Sequence, residues 1–167
     1  LPCLSCHGNA HDAAKRSYAA QVEGPAHRAA PFGSPMFCVN LDCTACHRSW
    51  KKADGADPVR LGSVARATAQ ECDRCHKPGT GRMLIELIQG QLKTKCEEVE
   101  KEADALRAGG SLPPDAEGLV RRAQDACAWL RQDGSWGLHN PDLFHRLMRD
   151  AAQDLNGARR GVEPRVA

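Results

Sequence analysis

The chain has 167 residues, enough for one domain or two small ones. Its formal charge of +2 at pH 7 is nearly neutral, which removes the usual argument for nucleic-acid binding. No apolar run reaches the length of about eighteen residues that a membrane span needs. The nine cysteines are too many for an ordinary cytosolic domain, and they indicate an oxidising compartment or dedicated cysteine chemistry.

The first half of the chain is poor in side chains that build a core. Residues 1–80 contain only thirteen large apolar side chains of the Leu, Ile, Val, Met, Phe, Trp and Tyr set. Either this half is disordered, or something other than side chains fills its interior. Short helices are predicted over about residues 8–22 and 58–70, and the second has a start signal in Asp57 and Pro58.

Residues 81–158 have the pattern of two longer helices followed by a third. The first apolar stripe at helical spacing ends before Gly109-Gly110 and comprises Leu84, Ile88, Leu92, Cys96, Val99, Ala103 and Leu106. The second follows Pro113-Pro114-Asp115, ends before Gly134 and comprises Leu119, Val120, Ala123, Ala126, Cys127 and Leu130. These two helices are predicted to form an antiparallel hairpin.

The third predicted helix begins with Asn140 as N-cap and Pro141 behind it. Its apolar residues are Leu143, Phe144, Leu147, Ala151 and Leu155. Residues 159–167 have no pattern and are predicted to form a mobile tail. The predicted fold class is therefore mostly α.

One short motif occurs three times. Residues 3–7 (CLSCH), 43–47 (CTACH) and 72–76 (CDRCH) all fit Cys-x-x-Cys-His, the attachment motif of haem c. Two thiols at this spacing add to the two vinyl groups on one porphyrin edge, and the following histidine binds the iron. The motif predicts three covalently attached haems that fill the interior of residues 1–80, which without haem should not fold.

The predicted attachment cysteines are Cys3, Cys6, Cys43, Cys46, Cys72 and Cys75, and the predicted proximal ligands are His7, His47 and His76. Zinc is the alternative for such motifs, but three Cys-Cys-His sets do not divide into sites of four ligands. A thioredoxin-like redox motif would normally occur once, in a βαβ setting.

The remaining histidines are candidates for the second axial ligand. His11 lies four residues after His7 on a predicted helix, so it would reach a neighbouring haem rather than that of His7. His27 lies in a Pro/Gly-rich loop, and His139 precedes the third helix. Three such histidines match three irons and predict bis-His, low-spin haems, whose potential is lower than that of His/Met haems.

Other residues are weaker candidates for ligation. His145 is interpreted as a surface residue or one that supports a ligand. Met83 and Met148 fall in apolar stripes and are interpreted as core, while Met36 could ligate but is not needed.

The three cysteines outside the motifs have a separate interpretation. Cys96 and Cys127 stand level across the predicted hairpin, on inward stripes, and are predicted to form a disulfide. Two buried thiols acting as small apolar residues are the alternative. Cys38 is interpreted as buried and inert, or as paired with a partner chain.

The three motifs, residues 35–47 (PMFCVNLDCTACH) and residues 137–141 (GLHNP) resemble the multihaem c-type cytochromes of anaerobically respiring bacteria. In that family a helical hairpin often precedes a Gly-x-His-Asn segment whose histidine is a distal ligand, which implies this role for His139. A histidine upstream of a Met-Phe segment often serves likewise, which implies it for His27. Many relatives carry more haems, and this chain begins abruptly at Leu1, which reads as a processed or truncated start.

The predicted function is electron transfer outside the cytoplasm, in the periplasm or the extracellular space. Residues 1–80 would bind three haems, and residues 81–158 would supply one distal ligand. The expected partners are redox proteins, including other cytochrome subunits or a membrane redox complex. The alternative is a reductase of a small nitrogen or sulfur oxyanion with one open haem, although all three motifs end in His and enough histidines exist to close every iron.

Overall fold

The computed structural model describes residues 12–20, 33–52 and 63–162, and this part of the chain is mostly α-helical, as the sequence predicts. The elements in chain order are α1 (Asp12–Ala19), α2 (Pro35–Cys38), α3 (Cys43–Cys46), β1 (His47–Lys52), β2 (Ser63–Ala67), α4 (Ala69–Asp73), α5 (Thr80–Ala108), α6 (Pro114–Asp133) and α7 (Pro141–Val162). Within these residues, no helix combines the length and the apolar character needed to cross a membrane.

The chain contains two compact units. One comprises residues 1–35 together with 88–167, and the other comprises residues 36–87. Helix α1, which follows the first motif in sequence, thus belongs with the C-terminal helices. The predicted division at residue 80 rests on haem binding and stays a prediction.

The core of the first unit is built by α5, α6 and α7, and the three apolar stripes of the sequence meet there. The residues at most 2 % exposed include Leu92, Cys96, Ala103, Val120, Ala123, Cys127, Leu130, Leu143, Phe144, Leu147, Met148, Ala151 and Leu155. Ile88, Leu106 and Leu119 pack against them from the edge. The hydrophobic effect on these stripes orients all three helices.

Helices α5 and α6 form the predicted antiparallel hairpin. Helix α5 ends at Ala108, directly before Gly109, and α6 begins at Pro114. Near the turn, Arg107 donates to Glu117 at 2.7 Å, and further from it Arg131 pairs with Glu100. Helix α6 ends where Gly134 adopts the left-handed conformation at φ +75°, which glycine adopts without the penalty of a Cβ.

Helix α7 begins where the sequence predicts. The Asn140 side chain accepts a hydrogen bond from the backbone N–H of Leu143 at 3.1 Å, which satisfies a donor of the first turn. The helix continues to Val162, four residues beyond the predicted end at residue 158. Leu155 and Ala158 are buried and hold these last turns on the core. Residues 163–167 of the predicted tail lie outside the described residues.

The predicted helix over residues 58–70 is wrong for residues 63–67, although its last two residues begin α4. Residues 63–67 form β2, which pairs antiparallel with β1 in a two-stranded sheet, with Trp50 opposite Ala65 and Lys52 opposite Ser63. The start signal at Asp57 and Pro58 lies outside the described residues. A partner strand, which periodicity over a single segment cannot reveal, decides the conformation here.

Helix α1 covers residues 12–19 of the predicted helix over 8–22, of which residues 8–11 and 21–22 lie outside the described residues. It is tied to the C-terminal helices through Ser17. The indole N–H of Trp129 donates to Ser17 Oγ at 2.9 Å. The Asn140 amide donates to the Ser17 carbonyl at 3.0 Å. Because Ser17 and Asn140 are both buried, these bonds satisfy polar groups that would otherwise destabilise the packing.

Candidate haem-binding residues

The second motif folds as a single helical turn, α3. Asp42 caps it, since its carboxylate accepts from the Ala45 N–H at 3.0 Å and from the Thr44 hydroxyl at 2.6 Å. The Thr44 hydroxyl bond is the main cause that lowers the pKa of Asp42. Cys43 and Cys46, three residues apart on a helical turn, are neighbours on one side of it.

His47 follows this turn directly. Its backbone N–H closes α3 on the Cys43 carbonyl, and it is also the first residue of β1. The side chain is half-buried. His47, the predicted iron ligand, is therefore held both by the end of α3 and by the start of β1.

The third motif begins with the last two residues of α4 and shares with the second motif the backbone hydrogen bond from the histidine to the first cysteine. The N–H groups of Cys75 and His76 both donate to the Cys72 carbonyl, at 3.1 and 3.0 Å. Cys75 and His76 are exposed, and Cys72 is half-buried. In both described motifs, a turn brings two thiols to one side and the histidine follows at once, which is the arrangement that attachment to two vinyl groups needs.

Asp73, at a variable position of the third motif, fixes the motif to the start of α5. Its carboxylate accepts from the backbone N–H of Gly79 at 2.9 Å and of Gly81 at 2.8 Å. The Gly81 bond, followed by that of Gly79, lowers the pKa of Asp73. An anion at a helix N-terminus is favourable, so the motif turn and α5 stabilise each other.

The thiols of these two motifs are close but do not form a zinc site. Burial raises the pKa of Cys46, and the neighbouring Cys72 adds to the effect. Within residues 12–20, 33–52 and 63–162, one group of three or more ligand-type residues has its ligand atoms within 4.8 Å of one another, and it comprises Cys96, Glu100 and Cys127. Four thiolates on one zinc ion would have to satisfy that distance, so the zinc alternative is not supported for the second and third motifs.

An open groove lies beside the third motif, between α4 and the first turns of α5. Its lining residues are Ala69, Gln70, Asp73, Gly79, Arg82, Met83, Glu86 and Leu87. Met83 is 57 % exposed and Leu87 is 51 % exposed. The interpretation of Met83 as core is therefore wrong, whereas Met148 is buried as predicted. Exposed apolar side chains beside the attachment turn fit a site for a porphyrin face.

His139 lies in the segment between α6 and α7 and is held by a carboxylate. Its ring Nδ1 lies 2.8 Å from Asp133 Oδ2. The Ser135 hydroxyl donates to the other carboxylate oxygen, and the His139 backbone N–H donates to Ser135 Oγ at 3.0 Å. Because Nδ1 is engaged with the carboxylate, Nε2 is the nitrogen with which this ring would bind iron.

The backbone around His139 is also constrained. Trp136 and Gly137 both have positive φ, at +52° and +94°. A Cβ on Gly137 would lie 2.1 Å from Leu92 Cδ1, so the segment passes directly over the core at a point where only glycine fits. The two other predicted distal ligands, His11 and His27, lie outside the described residues, as does the first motif with Cys3, Cys6 and His7.

Cys96 and Cys127 face each other in the core as predicted, but both are free thiols in the structure. The predicted disulfide is not formed, and the Cys127 thiol lies 3.6 Å from the Cys96 carbonyl oxygen. A hydrogen bond between the two thiol groups lowers the pKa of Cys96 and raises that of Cys127, and burial raises the pKa of Cys127 further. Arg131 binds both carboxylate oxygens of Glu100, so this carboxylate is engaged in an ion pair rather than directed at a metal.

Two further residues differ from or refine the sequence interpretation. Cys38 is exposed, so its interpretation as a buried inert residue is wrong, whereas pairing with a partner chain stays a prediction. His145 is half-buried, and burial lowers its pKa, with Lys95 and Arg149 adding to the effect. The sequence interpretation missed Asp73 and Asp133. The signal for Asp73 was an acidic residue six positions before Gly79, the first of the two glycines that flank the helix start at Thr80.

The comparisons with known proteins add one match. No family model and no curated protein matches the sequence. Among solved structures, the crystal structure of the outer cell wall cytochrome OcwA matches with a TM-score of 0.63 and 21 % sequence identity, over 92 % of this chain and 34 % of that chain. The chain spans about a third of the length of that cytochrome and shares the fold of the matched part.

Proposed function

We propose that the chain transfers electrons through three covalently attached c-type haems, each with two histidine ligands. The observation that carries the proposal is that, in both described motifs, the histidine N–H donates to the carbonyl of the first cysteine, four residues earlier, so a turn separates the two thiols and the histidine follows directly. The likeness in fold to a cytochrome supports the same chemistry. Bound haem would supply one-electron transfer at iron.

The attachment residues in this proposal are the six motif cysteines, and the proximal ligands are His7, His47 and His76. The distal ligands are His11, His27 and His139. The protein is exported to the periplasm or the extracellular space, where its partners are redox proteins, other cytochrome subunits or a membrane redox complex. In that environment an oxidant of the compartment would convert the Cys96 and Cys127 thiols, which are free in the structure and whose sulfur atoms lie within 4.8 Å of each other, to a disulfide.

A haem count on the exported protein tests the attachment. We expect three haems per chain by absorbance after denaturation in alkaline pyridine. The double variant Cys43→Ser, Cys46→Ser should carry two. The exposed Cys38, five residues before Cys43, gives the matched control, because Cys38→Ser should keep three. A wild-type chain with no covalent haem contradicts the proposal.

The ligation state separates a carrier from a reductase. With all irons closed, the reduced protein should show no spectral shift on addition of carbon monoxide, and the oxidised protein should give low-spin signals in electron paramagnetic resonance. Binding of carbon monoxide to the wild-type protein would show an open iron and favour the oxyanion reductase instead.

A further inference from the structure

A buried carboxylate lies next to the proposed distal ligand. Asp133 is the last residue of α6 and is 4 % exposed, with its side chain completely buried. An acidic residue at a helix C-terminus is unfavourable because the helix dipole is negative there, and burial of a carboxylate adds a further cost. This position therefore needs compensating contacts.

Those contacts all come from the segment that carries His139. Asp133 Oδ1 accepts from the backbone N–H of Ser135 at 3.1 Å and from the Ser135 hydroxyl. Asp133 Oδ2 lies 2.8 Å from His139 Nδ1. One carboxylate thus holds the serine with one oxygen and the imidazole with the other.

The guanidinium of Arg131 does not compete with His139 for the Asp133 carboxylate. Arg131, two residues earlier on α6, pairs with Glu100 of α5. The charge of Asp133 is therefore directed at the imidazole. A carboxylate bonded to the second nitrogen of a metal-binding histidine fixes its tautomer and increases its basicity.

We propose that Asp133 is a positioning residue that fixes His139 with its proton on Nδ1 and lowers the reduction potential of the haem to which Nε2 binds. The inference rests on the proposed function and concerns the tuning of one haem. An imidazole that donates more electron density stabilises ferric over ferrous iron, which is the physical reason for the direction of the shift.

The test compares two isosteric substitutions in the haem-loaded protein. Asp133→Asn removes the charge at the imidazole, and Asp142→Asn does the same at an exposed position of the first turn of α7. Spectroelectrochemical titration should show one haem potential raised in Asp133→Asn and none changed in Asp142→Asn. One low-spin signal in electron paramagnetic resonance should shift its g values in the first variant only.

One further variant, His139→Ala, distinguishes a failure of this inference from a failure of the proposed function. His139→Ala should turn one haem high-spin, and added imidazole should restore the low-spin signal. If His139→Ala leaves every haem low-spin, the ligand assignment fails. If that variant gives a high-spin haem but Asp133→Asn moves no potential, only the role of Asp133 is overturned.

Where Asp133→Asn does not yield haem-loaded protein, Ser135→Ala decides. Without the serine hydroxyl, the carboxylate is a stronger acceptor for the imidazole, so one haem potential should fall. An unchanged or raised potential in Ser135→Ala overturns the proposal.

Discussion

Gly137 shows how one residue without a side chain determines where the proposed ligand lies. Its φ of +94° and the 2.1 Å approach of a Cβ to Leu92 Cδ1 both exclude larger residues. Leu92 is completely buried, so it has little room to move away. We expect Gly137→Ala to reduce the free energy of unfolding by about 2–4 kcal/mol, from left-handed strain and overpacking together. Chemical denaturation followed by circular dichroism measures this.

Gly118 provides the matched control for that substitution. It lies inside α6, and no atom outside its neighbours lies within 4 Å of its Cβ position. Gly118→Ala should therefore stabilise the protein by about 0.5–1 kcal/mol, because alanine loses less backbone entropy in a helix. Equal effects of the two substitutions would contradict the role given to Gly137.

The lowered pKa of Asp73 predicts that the folded state around the third motif becomes less stable in acid. Its pKa is lowered in the folded state, so its contribution is fully present above the unfolded value of about 4 and is lost as the pH falls through the folded value. Asp73→Asn should lower the melting temperature at pH 7 and weaken its dependence on pH below about 4. Thermal denaturation at several pH values measures both, and the exposed Asp125→Asn on α6 should change neither.

At the scale of elements, the long helices could be predicted and the short sheet could not. The stripes of α5, α6 and α7 each repeat over about three turns or more, so local periodicity alone identifies them. Strand β2 has five residues, and its conformation depends on β1, eleven or more positions earlier. The helix start signal at Asp57 and Pro58, shortly before β2, therefore led to a wrong prediction of a helix.

In the candidate site, too, the local features could be predicted from the sequence and the tertiary contacts could not. The Cys-x-x-Cys-His turns are local and follow from the motif. The contact of Asp133 with His139 depends on the turn after Gly134 and on the burial of a helix end, and neither is visible in a sequence where an acidic helix terminus usually lies at the surface.

The packing of α7 gives a prediction at this scale. Leu155 is completely buried, in the fourth turn of the helix. Leu155→Ala should cost about 2–5 kcal/mol of unfolding free energy, from lost burial and the cavity left behind. Gln153→Ala, at an exposed position two residues earlier, should change it by less than about 0.5 kcal/mol. A small effect at Leu155 would show that α7 is not part of the cooperative core.

At the scale of the whole molecule, we expect helices α5, α6 and α7 to fold without haem, whereas residues 1–80 should need it. The core of α5, α6 and α7 consists of side chains, whereas residues 1–80 have few large apolar ones. A variant with all six motif cysteines changed to serine should keep a cooperative helical melting transition. Circular dichroism measures this, and complete loss of helical signal would show that the haems are needed for the helical core as well.

The two hydrogen bonds to Ser17 constrain when helix α1 can pack against the C-terminal helices during folding. Their donors, Trp129 and Asn140, lie 112 and 123 residues further along the chain. Contacts so distant in sequence close late, because the loop entropy must be overcome first. Helix α1 can therefore dock only after most of the polypeptide has been synthesised. Until then the Ser17 hydroxyl and carbonyl have neither of these two donors, so α1 stays undocked on the growing chain.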